Sequence, residues 1–437
     1  MYHFIGIKGS GMASLAVILY DLGYDVNGSD IEKHFFTEEE LIKRNIVITS
    51  YDKDNIKDDY IIIKGASIKE DNVELMEARR LNLKIYEYNE MVGELTKKFK
   101  TICVCGCHGK TTTTTMIEEA LGSILGMNYL IGDGTGYANK NNSYFALESC
   151  EYQRHFLAYH PYYSVVTNVD MDHVDYYKDM DDIKDAYTTF LNKTEKYIIA
   201  CGDDLNTRSL KLIPKVIYYG IDNNNDVKAV NVCYKEEGIT FDVIIKEEMY
   251  GSFNLPIYGK HQLLDVLSVI TLGFLEGISA CDINKNLSNY KNAKRRFAIT
   301  EVGNSVIIDD YAHHPNEVKS TIDAIKQKYK DKDKDIIVIF QPHTFSRTKE
   351  FYNDFVNIFK DVTYSYILNI FPAREKQSDY PNITSNLITD SLDNSSIIEI
   401  DDAKTLNKHD NSVFIFMSPN DISKLENDLI SLKKERL

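Results

Sequence analysis

The sequence predicts an α/β protein built on parallel sheets, and three observations carry that prediction. Short apolar, β-prone runs recur along the chain, among them residues 3–7, 101–105 and 336–340. Each leads through a glycine-rich or polar turn into a helix-like run, the alternation expected of βα units. Residues suited to chemistry cluster where these runs end, and parallel sheets place their ligands outside the carboxyl ends of their strands.

The first region spans residues 1–98. A strand at 3–7 enters Gly6-Ile7-Lys8-Gly9-Ser10-Gly11, followed by a helix near 12–22 and a second strand ending at Gly28-Ser29-Asp30. The loop can set a diphosphate over a helix N-terminus, and an acid about twenty residues beyond it can contact a ribose or base. Taken alone, this loop suits a nicotinamide dinucleotide as readily as any other. A strand at 60–63, a helix at 72–82 and a strand at 84–86 continue the alternation.

The second region spans 99–294 and opens on its strongest motif. Gly106-Cys107-His108-Gly109-Lys110-Thr111-Thr112 follows the strand at 101–105 and precedes a helix-like run at 116–121. Its glycines let backbone N–H groups turn toward an oxyanion, Lys110 reaches the β- and γ-phosphates, and the Thr111 hydroxyl can ligate Mg²⁺. Two residues, not four, separate the glycines. Strands at 144–147 and 163–167 run into Glu148 and Glu151, and into Asn168, Asp170, Asp172 and His173. Glu148 and His173 are expected to meet the phosphate loop at the sheet's rim, where a carboxylate plus phosphate suffices for Mg²⁺. Residues 216–257, rich in alternating Val, Ile and Tyr, read as a β-rich insertion.

The third region spans 295–437. A strand at 306–308 enters Asp309-Asp310-Tyr311-Ala312-His313-His314-Pro315, then a helix near 317–329. The strand at 336–340 enters Gln341-Pro342-His343-Thr344-Phe345-Ser346-Arg347, and a last strand at 413–417 precedes a terminal helix over 424–437. His313 and His314 cannot point the same way on extended backbone. Arg296, Asp310, His313, His314, His343 and Arg347 all lie near strand ends and are candidate functional residues.

The net charge of −16 argues against a general binder of nucleic acid or membrane surfaces. No apolar run approaches the length of a membrane-spanning helix. Residues 1–6 enter a strand pattern without a basic leader, so a cytoplasmic protein is expected. Seven cysteines, an odd number in a long chain, fit a reducing compartment. Cys103, Cys105 and Cys107 alternate and would share a face, and Cys107, at a helix N-terminus, is expected to carry a somewhat reactive thiol.

These motifs together resemble the Mur ligase family. The resemblance rests on residues 6–12, 28–30, 106–112, Thr167-Asn168 with Asp172-His173, Arg295-Arg296-Phe297, 309–315 and 340–347, and runs in order over nearly the whole chain. The strings at 309–315 and 340–343 resemble the alanine-adding branch and its tripeptide-reusing relative. Those at 130–136 and 150–157 resemble its low-GC Gram-positive form. The resemblance implies three domains: Rossmann-like, central ATPase and Rossmann-like. It implies ATP-driven joining of L-alanine to the carboxylate of UDP-N-acetylmuramate through an acyl phosphate, in peptidoglycan precursor synthesis. The tripeptide-adding reaction or a weakly active regulatory relative is the alternative.

By the same resemblance, Gly106, Cys107, His108, Gly109, Lys110, Thr111 and Thr112 hold ATP together with His261, Asp265, Arg296, Asp310 and His314. Thr111, Glu148 and His173 fall on the metal positions. Gly9, Ser10, Gly11, Met12 and Asp30 fall on the UDP site. His343, Arg347 and Arg374 fall where alanine and the acyl phosphate meet, with His343 the candidate base. Lys110, His173, His343 and Arg347 are the expected catalytic residues. Three stretches depart from the family pattern: Asp265 stands in place of an asparagine, residues 417–422 in place of a glycine-rich string, and residues 370–375 fit it loosely.

Overall fold

The computed structural model describes residues 1–35, 37–292, 295–330 and 332–436. The expected ends of the second region at Lys294 and of the terminal helix at Leu437 lie outside the described residues.

Three sheets follow one another along the chain. The first holds β1 (Tyr2–Ile5), β2 (Val26–Ser29), β3 (Val47–Thr49), β4 (Ile61–Lys64) and β5 (Lys84–Glu87). All five are parallel, in the order β3-β2-β1-β4-β5. β1 ends two residues earlier than expected because Gly6 turns the chain at φ 85°. The N–H groups of Gly6 and Ile7 then both donate to Ser29 O, at 2.9 and 3.1 Å.

The second sheet begins with β6 (Lys100–Cys105), β7 (Met127–Leu130), β8 (Gly136–Tyr137), β9 (Tyr144–Glu148) and β10 (Tyr163–Val166). It continues through β11 (Tyr197–Cys201), β12 (Val216–Gly220), β13 (Val227–Lys235), β14 (Gly238–Ile245) and β15 (Glu248–Leu255). Its order is β15-β14-β13-β12-β11-β10-β6-β9-β7-β8. The expected β-rich insertion therefore extends the central sheet: β12 and β13 stay parallel, and only β14 and β15 alternate. β6 lies between β9 and β10, where the strand order reverses, and that reversal opens a crevice at the carboxyl ends. The following helix, Lys110–Leu125, starts six residues before the expected one. Residues 111–115 are all threonine, a poor helix signal, yet the Thr114 and Thr115 hydroxyls turn back to the carbonyls of Lys110 and Thr111 (2.8 and 2.9 Å).

The third sheet holds β16 (Ala298–Val302), β17 (Ser305–Asp310), β18 (Asp335–Phe340), β19 (Tyr364–Ile367), β20 (Ser395–Ile397) and β21 (Ser412–Met417). Its order is β16-β17-β21-β18-β19-β20, antiparallel only at β16. Phe4 and Leu15 of the first region and Phe145, Phe156 and Phe190 of the second share one buried cluster, so these two sheets are packed as neighbours. Phe340, Phe355 and Phe359 anchor the third sheet's helical face. Among the described residues, no helix is long and apolar enough to cross a membrane.

Candidate active site

The phosphate loop leaves β6 and is gripped from β10. Asn168 accepts from His108 N (3.0 Å) and donates to His108 O (3.0 Å). Gly106 (φ 142°) and Gly109 (φ 82°) need glycine twice over. A Cβ on Gly106 would stand 2.0 Å from Thr167 Oγ1, and one on Gly109 2.6 Å from Asp265 Oδ1. Thr112 is buried beneath the loop. Lys110 Nζ lies back on Gly106 O (2.5 Å) and on Glu151 Oε2 (3.1 Å). Burial opposes the charge on Lys110, but Glu151 outweighs it and holds the ammonium well above its ordinary range. Burial likewise pushes the Glu151 carboxyl up, and Lys110 with His173 holds it below its usual value.

Thr111 Oγ1 donates to Glu148 Oε2 at 2.9 Å, an oxygen that also accepts from Gly132 N at 2.8 Å. These converging oxygens at the loop's edge fit a hard divalent cation. His173 does not join them: its Nε2 meets Glu151 Oε1 at 3.3 Å, and its ring lies tilted 4.7 Å from that of Tyr152. Thr111, Glu148 and His173 line one cavity of about 300 Å³ with Lys110.

The third sheet closes the far side of that cavity with Arg296, His313, His343, Arg347, Arg374 and Pro419. Arg347, only 6% exposed, sends Nη2 to Asp172 Oδ1 (2.5 Å) and Nη1 to His343 Nδ1 (3.0 Å). Arg374 donates through Nε to Asp175 Oδ2 at 3.1 Å and stacks on Tyr152, with its guanidinium carbon 4.5 Å from the ring centroid. Both arginines expected to clamp a substrate carboxylate thus face carboxylates of the second region.

Four of the expected residues have these surroundings. Around His343, burial, then Arg347 and Arg374, lower the pKa to about 4. A guanidinium only donates, so Nδ1 is also occupied as an acceptor, and His343 positions Arg347. Asp310 lies beneath the site, with its two oxygens taken by Phe297 N and Ala312 N, each at 2.8 Å. Cys107 is buried against Asp170, and burial, then Glu151 and Asp172, pushes its thiol well up, opposite to the shift a reactive thiol needs. Met12 packs its side chain into the core beside Gly9.

The remaining residues divide among other places. Arg296 lies over Tyr311, 4.9 Å from the ring centroid. His313 faces the central cavity, while His314 faces a separate one of about 380 Å³, so the adjacent histidines do diverge. His261 sits outside the central cavity, against Gly259, which in turn packs on Ala324. Gly9, Ser10 and Asp30 line a cavity of about 600 Å³ at the end of β1. Gly11 stands beside it, where a Cβ would meet the Tyr88 ring at 2.8 Å. Asp30 already accepts from Lys8 N (2.8 Å) and Ile31 N (2.7 Å). In the 417–422 stretch, Ser418 is tied to Gln341 (3.0 Å) and Arg295 (2.7 Å), and Asp421, two residues before the last helix begins at Ser423, accepts from Ser423 N (3.0 Å).

Asp265 is 6% exposed, and burial raises its pKa from 3.8 to about 8. At neutral pH most of it is protonated, and its O–H restores a donor that a carboxylate lacks. The folded state keeps a proton that the unfolded chain releases, so stability falls as pH rises from about 4 to about 8 and then levels. Asp265→Asn removes that penalty. Its melting temperature should exceed the parent's by a margin that widens across this window. The free energy behind that margin reaches a few kcal/mol, since each tenfold change in proton affinity is worth about 1.4 kcal/mol. A margin independent of pH would refute the assignment.

Sequence reasoning did not single out Glu317, which lies 3.3 Å from both His108 Nδ1 and His313 Nδ1. Its signal was the capping position three residues after His314. Glu151 and Asp175 carried none beyond their nearness to Glu148 and His173.

Comparison with known proteins adds the following. Residues 1–100 match the Mur ligase family, catalytic domain; 104–273 the Mur ligase middle domain; and 295–412 the Mur ligase, glutamate ligase domain. A UDP-N-acetylmuramate–L-alanine ligase from Lactiplantibacillus plantarum is 42% identical over 428 residues, covering 98% of this chain and 97% of that one. The fold matches a crystal structure of a UDP-N-acetylmuramate–alanine ligase from Thermotoga maritima with a TM-score of 0.80, at 23% identity over 100% of this chain and 99% of that one. It also matches a murein peptide ligase from Psychrobacter arcticus, with a TM-score of 0.71 at 20% identity over 99% of this chain and 98% of that one.

Proposed function

The chain belongs to the Mur ligase family, and we propose that it joins L-alanine to the carboxylate of UDP-N-acetylmuramate while ATP is cleaved to ADP and phosphate. The observation that carries the reading is one cavity bounded on one side by the phosphate loop and on the other by Arg347 and Arg374. A free carboxylate is a poor acyl donor, so its oxygen must first take the γ-phosphoryl group. The amine then attacks the activated carbonyl and phosphate departs. Little covalent work falls to the protein, and positioning with charge neutralisation dominates.

Lys110 would turn from Glu151 to the phosphates, and the N-terminus of the Lys110–Leu125 helix would face them. Thr111 and Glu148 would hold Mg²⁺, which neutralises phosphate charge when bound; His173 would hold a water beside it. Arg347, oriented by His343, would take the alanine carboxylate through its planar fork. Asp265, His108, Arg296 and His314 would line the nucleotide's path, and Gly9, Ser10 and Asp30 the UDP end of the sugar substrate. We infer a cytoplasmic reaction, a reading that the free cysteines and the nucleotide substrates support.

The decisive assay is ADP release from purified protein with Mg²⁺, ATP and UDP-N-acetylmuramate, with and without L-alanine. Alanine-dependent release with the matching product mass is expected. Release only with L-Ala-γ-D-Glu-diaminopimelate would move the protein to the tripeptide-adding reaction. Silence with both would overturn the ligase reading.

A further inference from the structure

We propose that His108, Asp170 and His314 form a binding site for a divalent transition-metal ion, separate from the Thr111–Glu148 pair, at the seam between the second and third sheets. One donor atom from each lies within 4.8 Å of the others. His108 Nε2 stands 3.6 Å from Asp170 Oδ2, and the two imidazole centroids are 4.5 Å apart. His314 is 3% exposed, and its Nε2 is buried without a hydrogen-bond partner, as is Nε2 of His108, whereas Nδ1 of His108 faces Glu317 Oε1 at 3.3 Å. Buried polar atoms left unpaired are costly, and an ion held by Nε2 of both histidines would relieve that cost.

The donor chemistry selects the ion. Two imidazoles and one carboxylate suit Zn²⁺ or Co²⁺, whereas Mg²⁺ prefers oxygen alone. Tetrahedral bonds of about 2.1 Å set donors about 3.4 Å apart, so side-chain rotation must draw the widest pair in by at most about 1.4 Å. Burial opposes charge on His108, but Asp170 and Glu317 raise its pKa to about 9, so an ion must displace the Nε2 proton while Glu317 Oε1, 3.3 Å from Nδ1, keeps the other in place. Asp170 is steadied by Asn316 Nδ2 and by Met171 N (2.8 Å). Ligation through His314 Nε2 moves its proton to Nδ1 and gives up only the long 3.3 Å contact from Asn316 N. Asp170 and His314 also line the cavity of about 380 Å³, which leaves room for a water as the fourth ligand. His108 and Asp170 belong to the second region and His314 to the third, so the ion would tie the phosphate loop to the third sheet.

The test is a Co²⁺ titration of the full chain, stripped with chelator and free of nucleotide, followed by visible absorption. One equivalent should produce the intense ligand-field band of four-coordinate Co²⁺, and excess Mg²⁺ should leave it in place. His314→Ala should weaken Co²⁺ binding at least tenfold, Glu317→Gln by about 10–100-fold, and His173→Ala should leave the band intact. Circular dichroism checks folding, with His314→Gln and Asp170→Asn as replacements if His314→Ala does not fold. No band in the parent protein overturns the site, as does a band that survives loss of His314 or disappears with His173.

Discussion

Lys110→Ala should lower ADP release by about 10²–10³-fold, the range for removing one pre-aimed donor from a transition state, while UDP-N-acetylmuramate binding is kept. Lys110 is the ammonium of the phosphate loop, and its charge is secured by Glu151. The sugar nucleotide is assigned to a different cavity, at the end of β1. Calorimetric titration of UDP-N-acetylmuramate beside the ADP assay separates the two effects. The substitution also leaves Glu151, 1% exposed, without the ammonium that offsets its buried charge, so a lowered melting temperature is expected as well. Near-normal turnover would sink the phosphate-loop assignment.

The second large effect is expected at Arg347. Its pair with Asp172 is buried on both sides and joins the third sheet to the second. Breaking such a pair by deleting one partner costs about 3–5 kcal/mol, so Arg347→Ala should both melt earlier and lose alanine-dependent ADP release. Arg347→Lys separates docking from recognition. A lysine can still neutralise Asp172, but it cannot present a planar fork to a carboxylate. Thermal stability should largely return while the alanine KM stays raised by about tenfold, the scale of one lost charge-assisted bond. An unchanged alanine KM in the Lys variant would leave Arg347 as a docking residue alone.

These two residues mark how far the sequence was legible. Strand positions were readable because each β-prone run ends in a chemically distinct turn: β1 at Gly6, β6 at Gly106, β18 at Gln341. The phosphate loop was readable because its function resides in contiguous backbone. The charge partners were not. Asp172 and Arg347 are 175 positions apart, and Asp175 and Arg374 are 199. No local pattern reports such pairings. Asp310 and Cys107 meet a related limit: residue type and strand-end position suggested chemistry, and only the fold shows both buried against backbone partners. Asp265 read as a departure from a family pattern, and only its surroundings show that the acid is held mostly neutral.

The place of β21 in the third sheet bears on how the chain is made. In the first sheet the middle strand, β1, is synthesised first, so each later strand has a template waiting. In the third sheet β21 lies between β17 and β18 and is the last strand to emerge. Until it does, β17 and β18 share no common neighbour, and the loop that carries His313 and the helix start that carries Arg347 (Phe345–Phe359) have no fixed spacing. Domains generally fold as units, N-terminal first, during synthesis. A nascent chain would therefore acquire its phosphate loop well before the arginines that face it, and truncation before Ser412 would leave the first two sheets able to form without a third.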